Sequence, residues 1–497
     1  MTLLTTRGLA VATPRPLFAG LDLAIHPGQR IGLVAANGAC KSTLLRILAG
    51  QAESTAGDLT RRRGLQTAFV EQDVPETLLP LPMHEAIRRA LPAADRAANE
   101  WRVDLLLETF ETPPDLHHKP LAQLSGGWQR MALIARAWIA EPDLLLLDEP
   151  SNHLDLARIE RLESWLQHET EGTGILVASH DRAFLDACTT HTLFLRPEGS
   201  RLYAHPFTAA RDLLAADDER TEKIFAREMK EADRLRSNAA RLKNVGINSG
   251  SDLLLKKSKQ LNTRAEAIEQ SARPLAKTRT ADLRLASSST HAKVLVTLDD
   301  IQVATPDGRP LFRTGKLRIH QGERIFLAGP NGAGKSRLVH LLRRAVQGES
   351  IPGLTVAPSV IPGYIDQQMS QLPSAETPLG FITASFRLGD QRSTSLLAGA
   401  GFDVPSQARP IARLSPGQKA RLGLLALRLA EPNFYLMDEP TNHVDIAGQE
   451  RLEEEILAPS AKGGAATCLL VSHDRAFTAA IATRTLTIHN GKLIDTA

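Results

Sequence analysis

Short apolar runs recur along the chain, and each ends abruptly in polar or glycine-containing sequence. Residues 30–34 and 324–328 begin with arginine and are otherwise apolar or glycine, whereas residues 144–147 and 434–437 are apolar throughout and end in Asp-Glu. A short apolar run bounded by polar or turn residues is typical of a buried strand. A helical run over 337–344 follows one of them. This succession of buried strand, loop and helix predicts an α/β fold.

The middle of the chain has a different pattern. Residues 207–272 are rich in Ala, Leu and charged side chains, and apolar positions such as Leu213 and Ile224 suit long amphipathic helices. Turn-forming residues interrupt this pattern at 244–251. A helical hairpin is therefore predicted, and we expect the serine-containing segment 274–292 to be a flexible lead into the sequence that follows.

The same ordered set of motifs occurs twice. Lys41 and Lys335 are 294 positions apart, and Asp148 and Asp438 are 290 positions apart. Solenoid repeats have periods of about 20 to 50 residues, so this spacing predicts two whole domains in one chain. We place the first domain at 1–205, a helical basic linker at 206–290 and the second domain at 291–497.

Composition agrees with a globular protein of at least two domains. The chain has 497 residues, of which 42% are hydrophobic and 23% charged. No apolar run approaches the roughly 18 residues of a membrane helix, and the first ten residues do not resemble a secretory signal. Cys40, Cys188 and Cys468 fit neither a disulfide framework nor a zinc site, and we expect them to be small buried residues. We expect a cytoplasmic protein, and the net charge of +3 is too small to indicate a partner.

A phosphate-binding loop follows the strand at 324–328. The sequence GPNGAGKS at 329–336 is a complete P-loop between a strand and a helix. Its glycines let backbone N–H groups surround phosphate oxygens, its lysine reaches the terminal phosphates and its serine holds Mg²⁺. We therefore predict that ATP and Mg²⁺ bind here. The predicted binding residues are Gly329, Asn331, Gly332, Ala333, Gly334, Lys335, Ser336 and Arg337.

The first copy of this loop is less regular. It reads AANGACKS at 35–42, with Ala35 and Cys40 at positions where the second copy has glycine. Their Cβ atoms would crowd the phosphates or strain the backbone, so we expect ATP to bind less tightly. The predicted binding residues are Asn37, Gly38, Ala39, Cys40, Lys41, Ser42 and Thr43.

Each domain has a strand that ends in two adjacent carboxylates, Asp148-Glu149 and Asp438-Glu439. Burying such a pair is costly unless a cation or a proton transfer is involved. At this distance from a P-loop, we expect the aspartate to hold Mg²⁺ through water and the glutamate to orient the attacking water. The predicted metal ligands are Ser42, Asp148, Ser336 and Asp438, and the predicted catalytic carboxylates are Glu149 and Glu439.

Between the P-loop and the acidic pair, each domain has a segment that resembles the signature motif of ATP-binding cassette (ABC) proteins. These segments are LSGGW at 124–128 and LSPGQ at 414–418, and each opens a predicted helix. The other motifs occur in the same order as in that superfamily. Gln72 and Gln367 resemble the Q-loop glutamine, and His180 and His473 resemble the switch histidine, so the resemblance implies catalytic roles for these four residues. It also implies nucleotide contacts by Ser125, Gly126, Gly127, Ser415 and Gly417.

Within this superfamily the chain resembles the F subfamily, ABC-F. The shared features are two cassettes in one chain, a helical linker, no transmembrane domain, and SNHLD at 151–155 or TNHVD at 441–445. The resemblance implies two tandem P-loop cassettes that close head to tail, with each ATP between the P-loop of one and the signature of the other. Ser125 and Ser415 would then contact the terminal phosphates at helix N-termini, where an anion is favoured.

In this arrangement the irregular features fall in one composite site. The first P-loop would face the second signature, where Pro416 replaces a glycine and removes one N–H donor. We hypothesise that the site built on Lys335 and Glu439 is the tighter and faster one. The alternative is that Pro416 merely starts a helix. In the family, an aromatic residue usually stacks on adenine at the places that here hold Ala12 and residues 304–305, and neither place has an aromatic side chain. The preference for ATP over GTP therefore rests on the resemblance alone.

The linker is locally basic. Between positions 236 and 264 it has seven basic residues against one acidic residue, Asp252, a local charge of +6. Such a charge suits phosphate backbones, although a solvated helical face is the alternative. The seven residues are Arg236, Arg241, Lys243, Lys256, Lys257, Lys259 and Arg264.

Three functions are compatible with these features. ABC-F proteins mostly act on the ribosome, so the resemblance implies a translation factor whose linker contacts rRNA and tRNA, with antibiotic protection as one form of this role. The second is a DNA-directed ABC-F ATPase. A basic C-terminal coiled-coil tail would be evidence for this function, and the short stretch of 24 residues after His473 counts against it. The third is the ATPase subunit of a transporter, which the charged linker and the absence of a membrane domain disfavour.

Overall fold

The computed structural model describes most of the chain, and the fold below refers to these residues. They form two compact units: residues 2–206 together with 292–496, and the helical residues 207–271. No helix among them is both long and apolar enough to cross a lipid bilayer. The described ranges are 2–13, 15–36, 41–94, 96–197, 199–271, 292–366, 369–442, 444–458 and 466–496.

The first domain contains nine strands and seven helices within the described residues. The strands are β1 (Leu4–Thr13), β2 (Arg15–Ile25), β3 (Arg30–Ala35), β4 (Ala56–Arg61), β5 (Thr67–Val70), β6 (Leu144–Asp148), β7 (Gly174–Ala178), β8 (His191–Leu195) and β9 (Arg201–Tyr203). The helices are α1 (Lys41–Ala49), α2 (Met83–Arg88), α3 (Trp101–Thr109), α4 (Pro114–His117), α5 (Gly126–Trp138), α6 (Leu156–His168) and α7 (Arg182–Cys188).

Two sheets organise the first domain. One is antiparallel with the order β2-β1-β4, and the other has the order β5-β6-β7-β3-β8-β9, in which only β9 is antiparallel to its neighbour. The Leu144–Leu147 side chains are completely buried. Strands covered on both faces read as continuous apolar runs, which explains why this strand was visible in the sequence.

The second domain repeats this plan. Its strands are β10 (Val294–Asp299), β11 (Gln302–Ala304), β12 (Pro310–Arg313), β13 (Lys316–His320), β14 (Arg324–Ala328), β15 (Leu354–Val356), β16 (Pro362–Ile365), β17 (Phe434–Asp438), β18 (Thr467–Val471), β19 (Arg484–His489) and β20 (Lys492–Thr496). They form sheets with the orders β13-β10-β15 and β11-β12-β20-β19-β14-β18-β17-β16. The predicted strands at 30–34, 144–147, 324–328 and 434–437 are all confirmed.

The described part of the second domain also contains seven helices, and residues 207–271 form a hairpin of two long helices. The helices of the second domain are α10 (Lys335–Val346), α11 (Pro378–Phe386), α12 (Asp390–Gly399), α13 (Val404–Gln407), α14 (Pro416–Leu429), α15 (Ile446–Leu457) and α16 (Arg475–Ile481). The hairpin consists of α8 (Phe207–Ser249) and α9 (Asp252–Ser271). The fold is thus α/β, with two cassettes in tandem and a helical hairpin between them in sequence.

The hairpin turn is shorter than predicted. Helix α8 continues through most of the expected break at 244–251, and the turn is confined to Gly250, with φ of 65°, and Ser251. Gly246 remains helical because it is buried against α9, where a Cβ atom would lie 3.1 Å from Cβ of Leu254. Residues 274–291 of the predicted flexible lead lie outside the described residues.

Small side chains let the two hairpin helices approach closely. Ala232, Ala239, Ser258 and Ala265 are buried between them, and the Ser258 hydroxyl donates a hydrogen bond of 2.8 Å to the Ala239 carbonyl. Most other positions of α8 and α9 are exposed. The stability of the hairpin therefore depends on a narrow stripe of small residues.

Two of the three cysteines can be placed. Cys188 and Cys468 are buried free thiols, as expected. Cys40 lies outside the described residues.

Candidate nucleotide-hydrolysis site

In each domain, the carboxyl ends of three neighbouring strands bring predicted site residues together. Strands β6, β7 and β3 are adjacent and parallel, so the loops that follow them leave the sheet at one edge. Glu149 follows β6 directly, His180 lies two residues after β7, and Lys41 is the first residue of α1, the helix that follows β3. Strands β17, β18 and β14 place the corresponding residues of the second domain in the same way.

Glu149 is held in a backbone conformation that non-glycine residues rarely adopt. Its φ is 50°, its N–H donates to the Ala178 carbonyl at 2.8 Å, and its side chain is buried. The carboxylate accepts the backbone N–H of His180 at 3.1 Å, and the His180 Nε2 atom lies 3.4 Å from Oε1. Strain that the surrounding structure maintains often marks a functional residue.

Glu439 repeats this geometry in the second domain. Its φ is 53°, and its N–H donates to the Val471 carbonyl at 2.8 Å. Its carboxylate accepts the His473 N–H at 3.2 Å, and Oε1 lies 3.3 Å from Nε2 of that histidine. The predicted catalytic glutamate and switch histidine are therefore paired in both copies.

The two P-loop lysines differ in position. Lys41 Nζ lies 3.2 Å from Oε1 of Glu149 and contacts the ring of His180. Lys335 Nζ instead donates to the carbonyl oxygens of Gly329 at 2.7 Å and Pro330 at 3.2 Å, within its own loop. The first lysine is thus engaged with the catalytic candidate, whereas the second is not.

The pKa values of the glutamates reflect this difference. Burial, together with the charge of Asp438, raises the pKa of Glu439 to about 8. Burial also acts to raise the pKa of Glu149, but His180 and Lys41 outweigh it and hold the pKa below its ordinary value. The pKa of Glu439 is thus close to the operating pH, which suits a general base, whereas a lowered pKa makes the Glu149 carboxylate a weaker base.

The predicted magnesium ligands are paired in both domains. Ser42 is hydrogen-bonded to Asp148, and Ser336 to Asp438, although burial still raises the pKa of each aspartate. Hydroxyl and carboxylate oxygens suit Mg²⁺, which takes few protein ligands and completes its shell with water and phosphate. No larger cluster of His, Cys, Asp or Glu suitable for a metal occurs in the described residues.

An arginine that sequence reasoning missed supports the first site. Arg130 on α5 is buried and donates hydrogen bonds to the carbonyl oxygens of Glu71 and Gln72. It therefore fixes the loop that carries the predicted Gln72. Ala420 stands at the corresponding position of α14, so a comparison of the two copies at this position could have drawn attention to Arg130.

The two signature segments are capped differently. Ser415 and Gln418 form a reciprocal capping box, with the Gln418 N–H donating to Ser415 Oγ and the Ser415 N–H donating to Gln418 Oε1. Ser125 starts α5 without a side-chain cap. In the second signature the backbone N–H groups of Ser415 and Gln418 are therefore engaged in capping bonds, whereas the first signature has no such bonds. Pro416 removes a further N–H donor from the second signature.

The second P-loop contacts the first domain. The Asn331 side chain donates to the His153 carbonyl at 3.2 Å, and its backbone N–H lies 3.4 Å from a carboxylate oxygen of Asp155. His153 also packs against the first signature, since a Cβ atom on Gly127 would lie 2.9 Å from the same carbonyl oxygen. His153 therefore lies between the second P-loop and the first signature.

A cavity of about 950 Å³ is lined by both domains. Its lining includes Lys41 and Glu149 of the first domain and Lys335, Glu439 and Ser415 of the second. Nearly all the predicted site residues that the structure describes line this cavity. Those that the structure describes away from the lining are Gly329, Ala333 and Ser125–Gly127, and those outside the described residues are Asn37, Gly38, Ala39, Cys40 and Gln367.

Comparison with known proteins gives the family. The family described as ABC transporter matches residues 18–152 and 312–442, and so occurs twice in the chain. A solved structure of RNase-L Inhibitor has the same fold, with a TM-score of 0.62 at 20% sequence identity over 99% of this chain and 89% of that one.

Curated relatives match nearly the whole chain. ABC transporter F family member 5 of Arabidopsis thaliana is 30% identical over 95% of this chain and 73% of its own length. ATP-binding protein Uup of Caulobacter vibrioides is 33% identical over 97% and 76%. Ribosome protection protein VmlR of Bacillus subtilis is 28% identical over 93% and 82%.

These matches extend through both cassettes and the hairpin, so they concern the arrangement of the chain as well as its single domains. They also agree with the repeated order of motifs in the sequence. The chain belongs to the F subfamily of the ATP-binding cassette family and is an ATPase.

Proposed function

We propose that this ATPase binds two ATP molecules between its cassettes, each held by the P-loop of one cassette and the signature of the other. The observation that carries this proposal is the contact of Asn331 with His153 and Asp155. That contact brings the second P-loop beside the segment that packs on the first signature. The cavity between the domains, which contains Lys41 and Ser415 together, supports the reciprocal site.

The residues of each site have complementary roles in this proposal. The lysine, Lys41 or Lys335, neutralises phosphate charge, and the glutamate, Glu149 or Glu439, orients the attacking water. The paired serine and aspartate of each site would hold Mg²⁺, which supplies positive charge to the phosphate oxygens. A signature serine at a helix N-terminus adds hydrogen bonding from the opposite cassette.

We further propose that the two sites are unequal and that the site built on Lys335 is the tighter and faster one. In the other site, Lys41 would have to leave Glu149 before it could reach a phosphate. That site would also be completed by the second signature, where Pro416 has no N–H and the Ser415 N–H is engaged by Gln418. Both differences weaken the same composite site.

The ribosome is the partner that we propose for the hairpin. Of the seven basic residues between positions 236 and 264, Arg236 pairs with Glu269 at 2.5 Å and Arg264 lies 3.8 Å from Glu231. The other five are exposed and have no carboxylate partner among the described residues, and they are Arg241, Lys243, Lys256, Lys257 and Lys259. No aromatic residue occurs in this stretch, so RNA would be recognised through phosphate groups and shape.

The relative named as a ribosome protection protein supports this choice of partner. A ribosomal partner, with rRNA and tRNA as the surfaces contacted, would place the chain in the cytoplasm as a translation factor. Protection against an antibiotic is one form that such action could take. In that form, expression in a susceptible host would raise the inhibitory concentration of a ribosome-targeting drug.

Co-sedimentation with ribosomes tests the proposal. The Glu149→Gln, Glu439→Gln double variant, which would bind ATP without hydrolysing it, should pellet with ribosomes only when ATP is present. Lys256→Glu with Lys257→Glu in this background should abolish pelleting at physiological salt, because the affinity of a phosphate-binding surface falls steeply with lost cations. Lys223→Glu with Lys230→Glu makes the same charge change on α8, outside the basic stretch 236–264, and this matched control should pellet normally.

Two results would count against the ribosome. Pelleting that is independent of ATP would contradict a nucleotide-controlled interaction. A double variant that stays in the supernatant while binding branched DNA would favour the DNA-directed alternative.

A further inference from the structure

Two ion pairs join the cassettes in a repeated arrangement. Arg182, two residues after His180, pairs with Glu453 on α15 of the second domain. Arg475, two residues after His473, pairs with Glu163 on α6 of the first domain. We call these four residues the arginine clasp. Because the two pairs exchange equivalent positions of the duplicated domains, the clasp repeats across the interface as the nucleotide sites do.

Both contacts of the clasp are bidentate. The Arg182 guanidinium touches both carboxylate oxygens of Glu453, with 3.3 Å between Nη1 and Oε2. Arg475 touches both oxygens of Glu163, with 3.2 Å between the corresponding atoms. Paired N–H donors that match two carboxylate oxygens fix orientation as well as distance.

The clasp is largely shielded from water. The Arg182, Glu453 and Glu163 side chains are 12%, 13% and 11% exposed, and that of Arg475 is 30% exposed. Removing one member of a buried pair leaves an uncompensated charge, whereas an exposed pair contributes little. Loss of a single clasp residue should therefore disturb its surroundings far more than loss of a surface arginine.

The clasp also reaches the residues beside the switch histidines. Nη2 of Arg182, which contacts Glu453, also lies 3.9 Å from Oδ2 of Asp474, the residue that follows His473 in the other domain. Asp474 caps α16 by accepting the Phe477 N–H at 2.9 Å, and Asp181 caps α7 through Phe184 in the same way at 3.0 Å. Arg182 therefore contacts the loop that carries the histidine of the opposite domain, whereas Arg475 contacts Glu163 on α6, and α6 packs against α7, the helix that follows His180.

The charges around the clasp interact as one group. Burial raises the pKa of Asp181 to about 6, and Asp474 and Glu163 raise it while Arg475 opposes them. Burial likewise raises the pKa of Asp474, against the charge of Arg182. Charges from both domains thus act on Asp181 and Asp474, the residues that directly follow the two histidines.

We propose that Arg182 and Arg475 are positioning residues that align the switch histidine of the opposite cassette, so that each cassette controls hydrolysis in the site built on the other. Arg182 sets the position of His473 through Asp474, and Arg475 acts on the loop of His180 through Glu163 and Asp181. This inference rests on the proposed pair of ATP sites. It adds a link between them that lies outside the nucleotide contacts.

Steady-state ATPase assays in single-site backgrounds test the proposal. With Glu149→Gln silencing the Lys41 site, Arg182→Gln should lower kcat of the remaining Lys335 site about tenfold and leave KM within about twofold, because it disturbs alignment rather than nucleotide contacts. Arg344→Gln, which removes an exposed bidentate pair with Glu349, is the matched control and should change neither constant. An unchanged kcat for Arg182→Gln would overturn the proposal.

A double-mutant cycle shows whether the effect belongs to the pair. In the Glu453→Gln background, Arg182→Gln should lower kcat by less than about twofold further, since contacting residues are not additive. Multiplicative losses would contradict the pairing. Assays are run below the lowest melting temperature of the set, and if Arg182→Gln does not fold, the more exposed Arg475→Gln in the Glu439→Gln background tests the same prediction.

Failure of the clasp and failure of the two-site proposal can be distinguished. If two ATP sites do not exist, the Glu149→Gln, Glu439→Gln variant keeps its ATPase activity or the unmodified chain has none. If only the clasp is wrong, the single-glutamate variants behave as expected and the arginine substitutions have no effect on kcat.

Discussion

At the scale of single residues, the two copies of the site are alike in their glutamate–histidine pairs and differ in what surrounds them. The left-handed backbone of Glu149 and Glu439 occurs at equivalent positions, so this geometry belongs to the repeated design. Lys41 and Lys335 occupy different positions within it. The inequality of the sites therefore originates in a few side chains around a common framework.

The two glutamates should not contribute equally to turnover. Glu439→Gln should lower ATPase activity about tenfold or more, whereas Glu149→Gln should lower it less than about twofold, because losing an acid–base group removes most activity only from a site that turns over. Initial rates of ATP hydrolysis by the two purified variants check this. Equal losses would argue against unequal sites.

Most of the predicted site residues that the structure describes line the cavity between the domains, because the motifs that indicated them are local in sequence. In the second P-loop, Gly334 has φ of 104°, and a Cβ atom there would lie 2.8 Å from Leu311, so the glycine is required by backbone and by space. Arg130 was missed because its partners are carbonyl oxygens on a loop 58 and 59 positions away. Every residue has a backbone carbonyl, so the residue types at positions 71 and 72 do not indicate that these carbonyls accept hydrogen bonds from Arg130.

At the scale of elements, buried strands were the most predictable feature and the hairpin turn the least. Residues 144–148 and 434–438 are buried throughout, and every position before the final aspartate is apolar. The turn was predicted to be longer than it is, because asparagine and glycine, here Asn244 and Gly246, commonly break helices. Here Gly246 is needed for close packing on α9, and tertiary contact overrides its low helix propensity.

The packing stripe of the hairpin gives a prediction with a control in the adjacent residue. Ala239 is completely buried between α8 and α9, whereas Ala240 is exposed. Ala239→Leu should destabilise the hairpin by about 1–3 kcal/mol through overpacking, speed amide hydrogen exchange in 207–271 and weaken ATP-dependent ribosome pelleting. Ala240→Leu adds the same side chain on the solvent face and should do none of these. Equal exchange rates in the two variants would contradict the packing account.

At the scale of the whole molecule, duplication made the domain organisation visible in the sequence, but not the contacts between the copies. Asn331 and His153 are 178 positions apart, and Arg182 and Glu453 are 271 positions apart. Neither pair has a local pattern that indicates its partner. Only the expectation of a head-to-tail arrangement, which came from family resemblance, pointed towards such contacts.

The central claim is that a residue of one cassette completes the ATP site of the other, and counting bound nucleotide tests it most directly. The Glu149→Gln, Glu439→Gln chain should retain two ATP molecules in equilibrium dialysis, and adding Ser125→Arg should reduce the number to one. The site lost should be the one built on Lys335, so that Lys335→Ala removes no further ATP whereas Lys41→Ala removes the last. If Lys335→Ala instead removes the remaining ATP, then Ser125 serves its own cassette and the head-to-tail account is wrong.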